Sequence, residues 1–311
     1  MAFFKFFLLI FYLVFFITFP NAAKETTYDA CNLFFKLILP SFIPMYLISN
    51  ILLNYGSFFK VIKRLIPFMH FENEEACGIF ILGFLCGNPT TAALIKKSTM
   101  EKSISVMEGS NLLLFSGMLS PLFIIMSGKM IGLKMFEIIS VIISCIASTF
   151  ILGSIILHKN KSINNKLTTK KNNDFWLILD EAPKILLNIL LVIIVTMLLK
   201  SPFTLLKNMP IFFKFFIDLL EVTTGINSLI SYNVNPFLKL LIFTFFISLS
   251  GIAILIESIV VIKKKEQTID EKNSIVCSKI LSINKFIVFR LFLALLATFI
   301  CGIINYIKFF F

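Results

Sequence analysis

GFLCGNPTTAALIKKS, residues 83–98, closes an apolar run with Gly83, Gly87 and Pro89 where a membrane helix would need to be continuous. Inside a helix a glycine costs about 1 kcal/mol and a proline about 3 kcal/mol relative to alanine, so the break has to serve something. Two readings compete: a kinked helix that still crosses the bilayer, and a segment that turns back to the side it entered from.

Of the 311 residues 58% are hydrophobic, 38 are Phe, and the mean hydropathy is +0.94, well beyond the apolar share of about half found in soluble domains. The chain reads as an all-α polytopic membrane protein. Stretches long enough to cross roughly 30 Å of hydrocarbon fall at residues 3–20, 31–54, 104–127, 135–157, 176–199, 237–262 and 286–307, which gives about seven spanning helices. Two further apolar stretches, 76–95 and 211–231, are broken or charged, and they decide the architecture.

The formal charge of +12 does not point to nucleic acid, because Lys and Arg are scattered between apolar segments and form no aromatic-interleaved face. They read as an orientation signal and an attraction to anionic lipid. The six cysteines, Cys31, Cys77, Cys86, Cys145, Cys277 and Cys301, include no C-x-x-C pair and mostly lie in apolar runs. They read as buried soft side chains, with neither disulfide nor metal implied. His70 with Glu74 and Glu75 has only a faint metal-like spacing, so neither a metal nor a cofactor is expected. The chain carries no P-loop, nucleophile elbow or metal-ligand cluster in its sequence, which speaks against an ATP-driven pump and against an enzyme.

The loop HKNKSINNKLTTKKNND, residues 158–174, carries Lys159, Lys161, Lys166, Lys170 and Lys171 against one Asp174. The loop after residue 262 carries Lys263, Lys264, Lys265, Lys272, Lys279 and Lys285 against Glu266, Asp270 and Glu271. Both belong in the cytoplasm, so an even number of crossings must separate them. Residues 176–199, 211–231 and 237–262 supply one too many. The segment that fails to cross is IFFKFFIDLLEVTTGINSLIS, residues 211–231, with Lys214, Asp218 and Glu221 at helical spacing and a break at Thr-Thr-Gly. Upstream, Lys60, Lys63 and Arg64 precede the stretch 76–95 and Lys96, Lys97 and Lys102 follow it, so that segment also reads as re-entrant.

Two units of the form span, broken re-entrant segment, span then follow one another in opposite orientation, with Gly87 and Gly117 recurring as Gly225 and Gly251 at nearly constant offset. This is the pattern of an inverted-topology repeat. The chain divides into an N-terminal signal-anchor helix and short outer loop (1–30), a first repeat with its linking helix (31–157), a basic cytoplasmic loop (158–175), the second, inverted repeat (176–262), and a basic loop with the C-terminal helix (263–311). Residues 1–25 resemble a signal peptide, but the apolar core is long and the cleavage site at Asn21-Ala22-Ala23 is imperfect; the helix is read as retained.

Irregular backbone at membrane depth is tolerated only where protein covers it or a polar cavity meets it, so the two breaks imply a shared site near the midplane. Gly87, Asn88, Pro89, Thr90 and Thr91 would offer free N–H groups and the positive end of a half-helix, or else form a kink satisfied by its neighbours. Glu221, Thr223, Thr224 and Gly225 would face them. Glu221 is either a binding carboxylate or a solvated group on a surface helix where Lys214 and Asp218 pair. In FSGMLSPLFII (115–125) and SLSGIAILIES (248–258), Ser116, Ser120, Ser248, Ser250 and Gly251 are candidate lining residues, with close helix packing as the alternative. Glu221, Glu257 and Asp218 are the candidates for ion coupling.

The stretch GFLCGNPTTAAL, then FSGMLSPLFII, LLEVTTGINSL, SLSGIAILIES and Arg290 in FIVFRLFLALLA resemble, in that order, the YlbJ-type sporulation integral membrane proteins. Those carry the nucleoside-recognition or Gate domain shared with concentrative nucleoside transporters. Cys86, Asn88 and Thr91 depart from the serine, tyrosine and second glycine usual in the first motif, and Glu257 stands where glutamine is frequent. The resemblance implies transport during spore formation, of dipicolinic acid for example, across the outer, mother-cell-derived membrane of the forespore. Its partners would then be a small solute, anionic lipid, and a second copy of the chain or other sporulation membrane proteins. The competing expectation is a membrane scaffold for spore envelope assembly that moves no solute.

Overall fold

A computed structural model describes residues 2–53, 60, 63, 64, 69–72, 74–100, 103–158, 175–204, 210–263 and 283–310. No strand occurs among the described residues. The two basic loops expected at 158–175 and after residue 262 lie almost entirely outside them, as does most of 54–73.

Helix α1 (Ala2–Thr18) stops at Phe19, and α2 (Pro20–Leu33) restarts with Pro20 at its first position, where the missing N–H costs nothing. The short outer loop expected before residue 30 is therefore helical: Ala22, Ala23, Lys24 and Glu25 all favour a helix. A π turn, Phe34–Ile38, joins α2 to α3 (Leu39–Leu53). There follow α4 (Glu74–Cys86), α5 (Asn88–Met100), α6 (Val106–Phe115), α7 (Pro121–Met130) and α8 (Met135–His158). The second half holds α9 (Phe175–Thr204), α10 (Ile211–Asp218), α11 (Val222–Ser228), α12 (Pro236–Leu249), α13 (Gly251–Lys263) and α14 (Ile283–Phe310).

Among the described residues five stretches are long and apolar enough to cross a membrane: Pro20–Ser49, Met135–Leu157, Ala182–Phe203, Pro236–Ile259 and Ile283–Tyr306. The chain is an integral membrane protein by that measure, with fewer full-length spans than hydropathy alone suggests. The stretch expected to span at 104–127 is two ten-residue helices, α6 and α7, separated by the non-helical segment Ser116–Ser120. The apolar part of α1, Phe6–Thr18, is short.

The stretch at 83–98 turns back. Ser98 near the end of α5 donates to Glu75 Oε1 at the start of α4 at 2.6 Å, and Ser103 adds a second bond of 2.7 Å. In one continuous helix Glu75 and Ser98 would be roughly 34 Å apart. Helices α10 and α11 form a second hairpin: Lys214 Nζ donates to Ser231 Oγ at 2.9 Å and sits 4.8 Å from the Tyr232 ring centre.

Packed beside the hairpins, α12, α14 and α8 form the central layer. Asn305 Nδ2 donates to Ser140 Oγ at 2.8 Å, and Thr244 Oγ1 donates to Cys301 Sγ at 3.3 Å. In the interior the Phe80 ring meets Phe115 at a tilt and Phe150 edge to face. Ile143, Ile155, Leu187, Leu191, Phe292 and Phe299 point outward from the long helices, the faces a lipid surround would cover.

Candidate functional site

At the first hairpin tip Gly87 has φ +88, a conformation that costs an L side chain. Its carbonyl accepts from Thr91 N at 3.1 Å and from the hydroxyls of Thr90 and Thr91 at 2.9 and 2.7 Å. The two hydroxyls expected to meet a solute both give their proton to the turn and keep only acceptor capacity. Pro89 occupies the second position of α5; its ring lies outside the described side chains.

The tip docks on the break between α6 and α7. Gly117 has φ +74, and a Cβ there would fall 2.6 Å from Asn88 Oδ1. Ser116 donates back to Leu112 O at 2.5 Å, and Ser120 caps α7 by accepting from Phe123 N at 3.2 Å. Arg290, fully buried on α14, joins tip to break: its guanidinium donates to Gly117 O and Asn88 Oδ1, each at 2.7 Å, to Leu113 O at 3.3 Å, and to Ser116 O. Because arginine only donates, the Asn88 oxygen must face it. The Asn88 Nδ2 is thereby turned away, buried and without a partner among the described residues.

The second tip docks on the second break in the same manner. Ser250 and Gly251 have φ +67 and +74 between α12 and α13, and the freed N–H groups of Ile252 and Ala253 donate to Leu219 O and Leu220 O, each at 2.9 Å. A Cβ on Gly251 would approach Val222 N to 3.0 Å. Glu221 caps α11: its carboxylate accepts from Thr223 N at 2.9 Å, Thr224 N at 2.7 Å and the Thr223 hydroxyl at 2.5 Å. Asp218 does not pair with Lys214, as a surface helix would have it. It takes donors from Lys200, Ser228 and Tyr232, the last at 2.7 Å, and so ties the hairpin to α9. Gly225 lies against the Asp218 carbonyl, and Ser248 packs against Cys145 Sγ at 3.1 Å.

Both tips meet at one cavity of about 60 Å³, space for a handful of waters. Its wall includes Gly87 and Asn88 from the first tip, Ser120 from the first break, Glu221 and Thr223 from the second tip, and Glu257 from α13. Ile38 at the end of the π turn, Ser41 and Phe42 just past it, and Ile189, Val192 and Ile193 of α9 also line it. Thr90, Thr91, Ser116, Asp218, Thr224, Gly225, Ser248, Ser250 and Gly251 are not on this wall; they build the elements that carry it. Glu257 is 5% exposed and has no hydrogen-bond or ion-pair partner among the described residues. None of the described wall residues is Lys, Arg or His. Arg290, Lys200 and Tyr232 had not been assigned a role from sequence; a lone Arg inside FIVFRLFLALLA was the signal available.

Against known proteins, the chain is 31% identical over 111 residues to the sporulation integral membrane protein YlbJ of Bacillus subtilis (strain 168). The chain is related to a sporulation integral membrane protein. The match covers 35% of this chain and spans about a quarter, 27%, of that relative's length. No family model matches the chain, and no solved structure matches it.

Proposed function

We propose that the chain carries a small solute across the membrane, by alternating access at the cavity where the two hairpin tips meet. The observation that supports this most is the composition of that cavity: two tips and two helix breaks from separate parts of the chain converge there, and of its wall residues Asn88, through its Nδ2, and Glu257 have polar groups with no partner among the described residues. A buried polar group left unpaired costs roughly 1–3 kcal/mol, more when charged, so a chain that only scaffolds others gains nothing by keeping them.

The motifs at these tips and breaks follow one another in the order of the Gate-domain proteins that the sequence resembles, and the loop charges support opposite orientations for the two halves. In this reading the solute is a small anion such as dipicolinate, moved during spore formation in the outer forespore membrane. The N-terminal ends of α5, α7, α11 and α13 bring positive dipole ends toward the cavity. Glu221 already has three donors at its own helix, whereas Glu257 must take a proton or a cation before an anion enters. That makes Glu257 the coupling group of the three acidic candidates.

Uptake of dipicolinate, followed by other small anions, into proteoliposomes with and without a proton gradient tests the proposal. Saturable uptake above that of empty vesicles is expected. Folded protein that moves none of them would replace this reading with the scaffold.

A further inference from the structure

Arg290 is 0% exposed, and no carboxylate pairs with it among the described residues. Its partners are four neutral oxygens: the carbonyls of Leu113, Ser116 and Gly117 and the amide oxygen of Asn88. The Phe286 ring, 5.4 Å from its central carbon, closes one side, a cation–π distance. An isolated buried charge is costly, so the compensation has to come from dipoles. The Leu113 carbonyl belongs to the last turn of α6, Ser116 caps that end and Gly117 follows it, so the guanidinium sits at the end of α6 that carries about half a negative charge.

Carbonyl and amide oxygens converging on one positive charge are what replaces the water shell of a monovalent ion. We infer that the first hairpin tip and the first helix break form a monovalent-cation site whose permanent occupant is the Arg290 guanidinium. The tip is held by an ion that is part of the chain, and no dissolved cation is needed to close it. The second tip needs no such ion, because Leu219 O and Leu220 O take N–H donors from α13 directly. This goes beyond the solute reading and does not rest on it.

Thermal unfolding of the purified full chain, followed with a thiol dye on its buried cysteines, tests the site. Arg290→Ala should lower Tm by about 5 °C or more. Millimolar methylguanidinium should restore most of that loss saturably, sodium should restore less, and choline at equal ionic strength nothing; the wild-type protein should respond to none of them. A folded Arg290→Ala protein that no cation stabilises, or that choline stabilises equally, overturns the inference. If that variant cannot be recovered folded, two others decide. Asn88→Asp, which places a carboxylate against the guanidinium, should raise Tm, and Arg290→Met should lower it; a fall in the first, or Arg290→Met as stable as wild type, overturns the inference. The readout is folding, so failure here is distinct from failure of uptake.

Discussion

Two carboxyls face the same cavity and do different work. Glu221 spends both oxygens on the first turn of α11, so Glu221→Ala should cost about 1–2 kcal/mol, in the range of a lost N-cap, and Glu221→Gln, which keeps one acceptor, should cost less; denaturation of the detergent-solubilised protein measures both. Glu257 holds no such bond, so Glu257→Gln should leave Tm nearly unchanged. In proteoliposomes the same variant should retain downhill uptake and lose its response to an imposed proton gradient; a full response would remove Glu257 from coupling. The sequence shows where each acid sits but not which one is already engaged. Thr223 and Thr224 follow Glu221 as capping partners, a local pattern that was available to reading, whereas the isolation of Glu257 depends on what α5, α9 and α11 bring beside it.

At the level of elements, each hairpin is a device for presenting a turn to a break. The first turn is legible, because Gly87 and Pro89 carry their own conformational costs wherever they stand; the second falls at Leu219–Glu221, just before the break expected at Thr223-Thr224-Gly225, which are helical in α11 because Glu221 caps their N–H groups. The breaks they dock on are less so: Ser116–Ser120 reads as part of an apolar span until Arg290, far along the chain, is placed against its carbonyls. Gly117 tests the fit between the two. Gly117→Ala meets both a positive φ and an Asn88 oxygen 2.6 Å from the new Cβ, while Gly132→Ala meets a similar φ of +84 with nothing within 4 Å. The Gly132 variant should lose about 1–2 kcal/mol, the backbone cost alone. The Gly117 variant should lose clearly more, with the difference read from their denaturation midpoints. Equal losses would mean that the tip and the break are not in contact.

For the whole molecule, charge on the loops argues for two units of opposite orientation, while the helices show only that each unit pairs a hairpin with an interrupted helix. Single cysteines at Lys97 and Phe203, both exposed, separate the alternatives: an impermeant thiol reagent should reach them from opposite sides of sealed vesicles, and labelling from the same side removes the inverted arrangement. Span number was the least legible property, since hydropathy does not distinguish one long helix from two short ones joined by non-helical backbone. The π turn at Phe34–Ile38 adds a consequence of its own. One residue more than the α-helical count rotates everything downstream by about 100°, and Ser41 and Phe42 reach the cavity wall from just beyond it. That single residue acts as a phase shift: the same helix shows one stripe to α9 before the turn and another to the cavity after it.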